Sequence, residues 1–152
     1  MHAGDEVTDF ELPDETGTPR RLGSFLQHGP VVLFFYPLAM SKGCTVECSH
    51  FRDLASEFAR FGAERIGISS DPVDRQGRFS QLHSFDYPLL SDRTGSVARQ
   101  FGVQRLVGPV RRRTFVIDTD FRLLEEIRSE IRMGLHADRA LEVLAARSGP
   151  EA

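Results

Sequence analysis

A continuous apolar run is the feature that most narrows the folds open to this chain. Residues 31–36 read Val-Val-Leu-Phe-Phe-Tyr, with Gly29-Pro30 before the run and Pro37 after it. A short run of such residues, without alternating polar positions, is typical of a strand buried on both faces of a sheet. Since such a strand must be covered on both sides, we expect a sheet with helices packed on each of its faces.

Weaker patterns on either side of this run predict strands that alternate with helices. Segments 7–13 and 20–22 are separated by a turn and predict a small opening hairpin. Helical spacing and Pro or Gly punctuation predict a short helix at 24–27 and longer helices at 44–60, 72–83, 95–101 and 137–146. Further strands are predicted at 65–69, 87–90, 114–118 and 123–128, the last two as a hairpin. This order predicts an α/β fold with a mixed central sheet, for which the thioredoxin fold with an N-terminal β-hairpin extension is the natural candidate.

The composition is that of one globular domain spanning residues 1–152. Of the 152 residues, 40% are hydrophobic and 27% are charged, which argues against a disordered or membrane-spanning protein. A net charge of -3 argues against a nucleic-acid partner, although Arg111, Arg112 and Arg113 form a local basic cluster. Residues 1–6 are polar and acidic and lack the pattern of a secretory signal, so we expect a cytoplasmic protein without a membrane partner.

The chain contains two cysteines, Cys44 and Cys48, four positions apart. They are too few and too close for the disulfide framework of a small secreted protein. In a reducing compartment such a pair is more often metal-binding or catalytic. His50 and His136 do not complete a set of metal ligands with suitable spacing, so we expect neither a metal nor another cofactor.

Cys44 lies in the first turn of the helix predicted after the buried strand and its loop. Free backbone N–H groups and the helix dipole favour an anion at that position, so a reactive thiolate is expected there. Reduction of a peroxide needs such a thiolate, donors that orient the two oxygens, and a positive group beside the departing oxygen. The hydroxyl of Ser41 and the backbone amides of Gly43 and Cys44 are the candidate donors.

The positive group must come from elsewhere in the chain, and Arg112 is the best candidate. Because side chains alternate along a strand, Arg112 and Thr114 are predicted on one face and Arg111 and Arg113 on the other. Glu47 lies one helical turn after Cys44 and is predicted to hold an arginine by a bidentate contact. A purely structural role stays open for each of these residues at this point. Cys44 would then be an inert buried cysteine, Ser41 would only shape the loop, and Glu47 would be an exposed helix residue.

The residues around Cys44 resemble a known family. Pro37, Ser41 and Cys44 match the peroxiredoxin signature Pro-x-x-x-Thr/Ser-x-x-Cys. The segments 43–47 and 51–53 resemble the branch of bacterioferritin comigratory protein and peroxiredoxin Q. Comparable segments of that branch are also seen at the opening Gly4-Asp5-x-x-x-x-Phe10, at Ile68-Ser69-x-Asp71, at 87–92 and at 112–118.

This resemblance implies a thioredoxin fold and the reduction of hydroperoxides without a cofactor. It implies that Cys44 is the peroxidatic cysteine, with Pro37, Ser41 and Arg112 as its companions in the active site. The oxidised enzyme is then expected to be recycled by a thioredoxin-like dithiol. A monomer is common in this branch, so a monomer or a weak homodimer is expected.

The second cysteine departs from the pattern of the branch. Its resolving cysteine often lies five residues after the peroxidatic one, where this chain has Ser49, whereas Cys48 lies four residues after Cys44. On an intact helix, residues four apart have Cβ atoms roughly 5–6 Å apart, while a disulfide needs roughly 3.5–4.5 Å. Either the turn unwinds and Cys48 resolves the sulfenic acid of Cys44, or Cys48 faces the core and an outside thiol resolves it.

Two other functions compete with a peroxidase. A thiol-disulfide oxidoreductase on the same fold would normally carry Cys-x-x-Cys, whereas three residues separate the cysteines here. A noncatalytic binding module would keep both cysteines as structural residues. Exchange activity without peroxide reduction would favour the first, and a Cys44 that is inert to peroxide and to alkylating agents would favour the second.

Overall fold

The computed structural model describes residues 1–148 of the chain. In chain order the elements are β1 (Glu11–Pro13), β2 (Pro19–Arg21), α1 (Leu22–Leu26), β3 (Val31–Phe35), α2 (Lys42–Asp53), α3 (Ala55–Arg60), β4 (Glu64–Ser69), α4 (Val73–His83), β5 (Leu89–Ser91), α5 (Ser96–Gln100), β6 (Arg113–Ile117), β7 (Leu123–Arg128) and α6 (Met133–Ser148). Within the described residues, none of the helices is long and apolar enough to span a membrane.

The buried run forms the central strand of a five-stranded mixed sheet, as the sequence predicts. The strand order is β5-β4-β3-β6-β7, with β3 parallel to β4 and antiparallel to β6. Every residue of β3 is buried. The predicted opening hairpin is also present, because β1 and β2 pair antiparallel in a separate two-stranded sheet.

Alternate side chains of β3 enter two cores, one on each face of the sheet. Leu33 and Phe35 pack on the face covered by α1 and α5. Val32 and Phe34 pack on the face covered by α2, α4 and α6, where the ring of Phe34 stacks on Phe51 of α2 with centroids 4.0 Å apart. Both cysteines belong to this second core, so β3 and α2 together fix the position of the candidate site.

Several predicted boundaries are wrong. The helix predicted over 44–60 is two helices, because Leu54 leaves the helical conformation with φ -96 and ψ 22. The first of them begins two residues early, at Lys42, since Ser41 caps it. The strand predicted at 87–90 begins at Leu89, because Pro88 has no N–H to donate to the ladder. The last helix begins four residues early, at Met133, where the burial of His136 and Ala137 outweighs the low helix propensity of Gly134.

Candidate active site

Cys44 lies in the first turn of α2, at the end of the loop that leaves β3. Ser41 is the N-cap of the helix: its Oγ accepts a hydrogen bond from the amide of Cys44 at 3.3 Å and donates one to the carbonyl of Leu38 at 2.9 Å. Pro37 directly follows the strand. The sequence predicts that the amide of Cys44 is free to bind substrate, but the structure differs, because the capping hydroxyl takes this donor.

The guanidinium of Arg112 reaches the sulfur of Cys44. Its Nη2 lies 3.5 Å from Cys44 Sγ, and its Nη1 donates to Glu47 Oε1 at 2.7 Å. Arg112 is buried and comes just before β6. Arg113 turns to the other face and pairs with Glu130 at 3.0 Å, while Arg111 is exposed. The alternation expected along the strand thus brings one arginine of the basic cluster to the cysteine.

Gly43 lies close to this guanidinium. A Cβ atom at position 43 would lie 3.4 Å from Arg112 Nη2 and 3.3 Å from Met133 Cε. A Cβ atom there would be in close contact with the end of the Met133 side chain and would just touch the guanidinium. Gly43 thus lies directly beside the guanidinium that contacts Cys44.

Glu47 is fully buried, which rules out an exposed helix residue at this position. The predicted bidentate contact with arginine is wrong, because only Oε1 is bound, while the second terminal nitrogen of Arg112 is directed at Cys44. Burial raises the pKa of Glu47 to about 7, against the opposing effect of the positive charge on Arg112. Burial alone would lower the pKa of Arg112, but Glu47 and Cys44 outweigh it and raise that pKa.

His136 of α6 lies next to Glu47 without forming an ion pair with it. Its Nε2 is 3.8 Å from Glu47 Oε2, and burial lowers the pKa of the ring, so the imidazole is neutral. Its Nδ1 lies 2.8 Å from Thr114 Oγ1 and its Nε2 lies 2.8 Å from the carbonyl of Ser129. Since a carbonyl only accepts, Nε2 carries the proton and the threonine hydroxyl donates to Nδ1. His50 pairs instead with Asp138 at the surface.

Cys48 is buried one turn further along the same intact helix, and both cysteines are free thiols. Burial raises the pKa of Cys48 well above its ordinary value, with the charge on Glu47 adding to the effect. Its carbonyl accepts a hydrogen bond from Tyr87 Oη at 2.7 Å, and the carbonyl of Phe51 accepts one from Arg65 at 2.8 Å. These contacts anchor the C-terminal half of α2, so the first turn, with Cys44, is the part that is freer to unwind.

Replacing Glu47 with Gln tests the effect of this buried carboxyl. The pKa of Glu47 is raised from 4.5 to about 7 in the folded state, so the folded protein binds more protons than the unfolded one between these values. The stabilising contribution is present below pH 4.5 and is lost as the pH rises through about 7. Between pH 5 and 8, the free energy of unfolding of the natural protein should therefore fall by on the order of 2–3 kcal/mol relative to Glu47→Gln.

Urea unfolding of both proteins at the two pH values measures this difference. Glu57→Gln, which removes an exposed carboxylate from α3, is the matched control and should follow the natural protein. A free energy that changes with pH equally in Glu47→Gln and in the natural protein would show that the carboxyl titrates normally.

Sequence reasoning missed residues that lie around the site but far from it in the chain. Asp71 and Arg75, which bind the peptide of Ala39 in the loop before Cys44, were not singled out at all. His136 was considered only as a metal ligand, and its contact with Thr114 behind Glu47 was not expected. For Asp71, the one available signal was its place in the segment Ile68-Ser69-x-Asp71. Among the described residues, no three His, Cys, Asp or Glu side chains are arranged as a metal site.

Comparison with known proteins identifies relatives over almost the whole chain. Residues 3–125 match the model of the AhpC/TSA family. The chain is 34% identical over 151 residues to peroxiredoxin Bcp of Escherichia coli K12, an alignment that covers 95% of this chain and 96% of that protein. This chain therefore aligns with almost the full length of a protein that is named a peroxiredoxin.

Solved structures with the same fold are also found. The peroxidoxin BcpB of Mycobacterium tuberculosis is 58% identical, with a TM-score of 0.94 over 99% of each chain. The bacterioferritin comigratory protein of Xanthomonas campestris, described in connection with alkyl peroxide reduction activity, is 29% identical, with a TM-score of 0.84 over 91% of this chain and 92% of that one. These similarities confirm the predicted thioredoxin fold.

Proposed function

Because this chain belongs to the AhpC/TSA family and is a thiol peroxidase of its Bcp and peroxiredoxin Q branch, we propose that Cys44 is the cysteine that attacks the hydroperoxide. One observation carries this proposal: a single buried guanidinium, that of Arg112, contacts both the sulfur of Cys44 and the carboxyl of Glu47. A cation held in that place stabilises negative charge at the sulfur and on a departing oxygen next to it.

In the first step, the Cys44 thiolate attacks the terminal oxygen of the hydroperoxide. A sulfur–oxygen bond forms as the oxygen–oxygen bond breaks, the departing oxygen takes a proton, and the products are Cys44 sulfenic acid and water or an alcohol. Arg112 stabilises the charge on the departing oxygen, and Glu47 holds Arg112 in position. Since the Ser41 hydroxyl donates its proton to Leu38, it orients the peroxide by accepting a hydrogen bond from it, and Pro37 ends the strand before the loop that leads to the helix.

In the second step, we infer that Cys48 resolves the sulfenic acid. The Cys48 thiol loses its proton and its thiolate attacks the sulfur of Cys44; a sulfur–sulfur bond forms as the sulfur–oxygen bond breaks, and the departing hydroxide takes a proton and leaves as water. A thioredoxin-like dithiol reduces the resulting intramolecular disulfide again. The thiol of Cys48 resists ionisation inside the helix. Unwinding of the first turn would free Cys44 to move toward the sulfur of Cys48, which stays in the anchored part of the helix, and would bring the two sulfurs within bonding distance.

The substrates we propose are hydrogen peroxide and organic hydroperoxides, in antioxidant defence and redox homeostasis in the cytoplasm. The exposed apolar side chains of Leu38 and Val46 lie in the loop and the helix that carry the site, which supports an apolar group on the substrate. The alkyl peroxide reduction activity described for the Xanthomonas campestris relative supports the same class. The working unit we propose is a monomer or a weak homodimer.

A one-cysteine mechanism is the alternative, and the anchoring of α2 favours it. Tyr87 donates to the carbonyl of Cys48 and Arg65 to that of Phe51, and both contacts oppose unwinding of the helix at Cys48. If the helix stays intact, an external thiol resolves Cys44 and Cys48 remains a core residue.

Replacing Cys48 with Ser distinguishes the two mechanisms. We expect the variant to reduce one equivalent of hydrogen peroxide as fast as the natural protein, because Cys44 and Arg112 are untouched. Turnover driven by a thioredoxin-like dithiol should fall by about 10-fold or more, since no disulfide forms for that reductant to attack. Peroxide consumption is followed in single-turnover and in reductant-coupled assays.

Ser49→Ala is the matched control, since it changes the adjacent residue and leaves both thiols in place. It should behave like the natural protein in both assays. Full coupled turnover by Cys48→Ser would establish the one-cysteine alternative.

A further inference from the structure

The peptide of Ala39, in the loop between β3 and α2, is held at both of its polar groups by side chains that lie at the start of α4. The amide of Ala39 donates to Asp71 Oδ2 at 2.8 Å, and its carbonyl accepts from Arg75 Nη2 at 2.9 Å. Ala39 and Asp71 are both buried. Asp71 and Arg75 are themselves a pair, with Oδ1 and Nε 3.1 Å apart. These two side chains, here called the loop brace, therefore fix the position and the orientation of one peptide.

The loop brace is anchored in the core by a further set of hydrogen bonds. Ser69 Oγ donates to Asp71 Oδ2 at 2.7 Å and accepts from Gln76 Nε2 at 3.0 Å. Gln76 Oε1 in turn accepts from Tyr36 Oη at 2.5 Å. Since Ser69, Gln76 and Tyr36 are also buried, the carboxylate of Asp71 has little freedom to move.

The residue after the braced peptide has an unfavourable backbone conformation. Met40 has φ 68, in the left-handed region that residues with a Cβ atom seldom adopt. Ser41, the N-cap that binds the amide of Cys44, follows immediately. Contacts outside the loop must therefore hold this stretch in place, and the loop brace provides two of them next to Met40.

We propose that Asp71 and Arg75 are positioning residues for peroxide reduction, acting on Cys44 through Ala39, Met40 and Ser41. They do not touch the sulfur or the peroxide. By holding the peptide of Ala39, they place the Ser41 hydroxyl and the first turn of α2 so that Cys44 stays beside Arg112. This inference rests on the proposed role of Cys44 as the attacking residue.

Two rates for Cys44 separate positioning from a general effect on folding. Reaction with hydrogen peroxide needs oriented groups around the sulfur, whereas alkylation by iodoacetamide needs only an accessible thiolate. Asp71→Ala and Arg75→Ala should each lower the peroxide rate by about 10-fold or more, while the iodoacetamide rate stays equal or rises. Because both side chains act on one peptide, the double variant should lose no more than the worse single variant.

Asp74→Ala is the matched control, because Asp74 lies in the same turn of α4 but is exposed and pairs with exposed Arg78 at 3.6 Å. It should keep both rates. If Asp71→Ala does not fold, Arg75→Ala decides alone, since its side chain is 40% exposed. An unchanged peroxide rate in Arg75→Ala, an equal fall in both rates, or losses that multiply in the double variant would overturn the inference.

Failure of the proposed function is recognised separately, in the natural protein. If its peroxide rate is no faster than that of Cys44→Ser, Cys44 is not the attacking residue and the loop brace has no such reaction to support. If the natural protein reacts at Cys44 and the loop brace variants react equally fast, the positioning role alone is wrong.

Discussion

Cys44→Ser is expected to abolish peroxide reduction, with the rate falling by roughly 10⁴-fold or more, because a serine hydroxyl is not ionised near neutral pH and is a poor nucleophile toward oxygen. The substitution exchanges sulfur for a smaller oxygen at a fully buried position. The fold should survive, since Cys44 is one small member of a core that is otherwise built from large side chains such as Phe34, Phe51 and Phe58. Stopped-flow measurement of hydrogen peroxide consumption under single-turnover conditions determines the loss.

The matched comparison for this variant is Cys48→Ser, which makes the same exchange one turn along the same helix. Its first turnover should be as fast as that of the natural protein. Rapid peroxide consumption by Cys44→Ser, together with a slow Cys48→Ser, would exchange the roles of the two cysteines.

Arg112→Met is expected to slow the oxidation of Cys44 by roughly 10²-fold, because it removes the cation that contacts both the sulfur and Glu47. Met keeps much of the length and apolar volume of the side chain. Arg112→Lys should be intermediate, since an ammonium keeps the charge but lacks the fork that reaches both partners. The second-order rate constant with hydrogen peroxide measures each effect.

Loss of Arg112 also leaves Glu47 buried without its partner, so the pKa of that carboxyl should rise further. Urea unfolding determines how much of the effect is on stability. Arg111→Met provides the control, because it makes the same change at the adjacent residue, which is exposed. An Arg112→Met protein that is folded and reacts as fast as the natural protein would contradict the role proposed for the guanidinium.

The sheet was predictable because its central strand has a pattern that few other structures allow. Residues 31–36 could be buried on both faces only between two helical layers, and β3 lies there. The division of the first long helix was not predictable, since apolar spacing continues through Leu54 from Phe51 to Phe58. The early start of α6 was hidden by Gly134, whose low helix propensity is overcome by packing against β6 and β7.

The pairing of Cys44 with Arg112 was predictable from two local rules. A helix N-terminus favours an anion, and strand alternation selects one of three adjacent arginines. The single hydrogen bond between Glu47 and Arg112 was not predictable, because Glu47 and Cys44 compete for the same guanidinium. Only three-dimensional distances decide which of its nitrogens binds which partner. The loop brace was equally hidden, since Asp71 and Arg75 lie 32 and 36 positions from Ala39.

The central claim is that Cys44 is oxidised by peroxide and that Cys48 then bonds to it. The most direct measurement is the intact mass of the natural protein after one equivalent of hydrogen peroxide, with a thiol-alkylating reagent added at once. A chain that has lost two hydrogens and takes up no alkyl group, together with a trapped sulfenic acid on Cys44 in Cys48→Ser, is the result we predict. A natural protein that accumulates the sulfenic acid while Cys48 is alkylated would contradict resolution by Cys48, and a protein whose two thiols are both alkylated would contradict the peroxidase site itself.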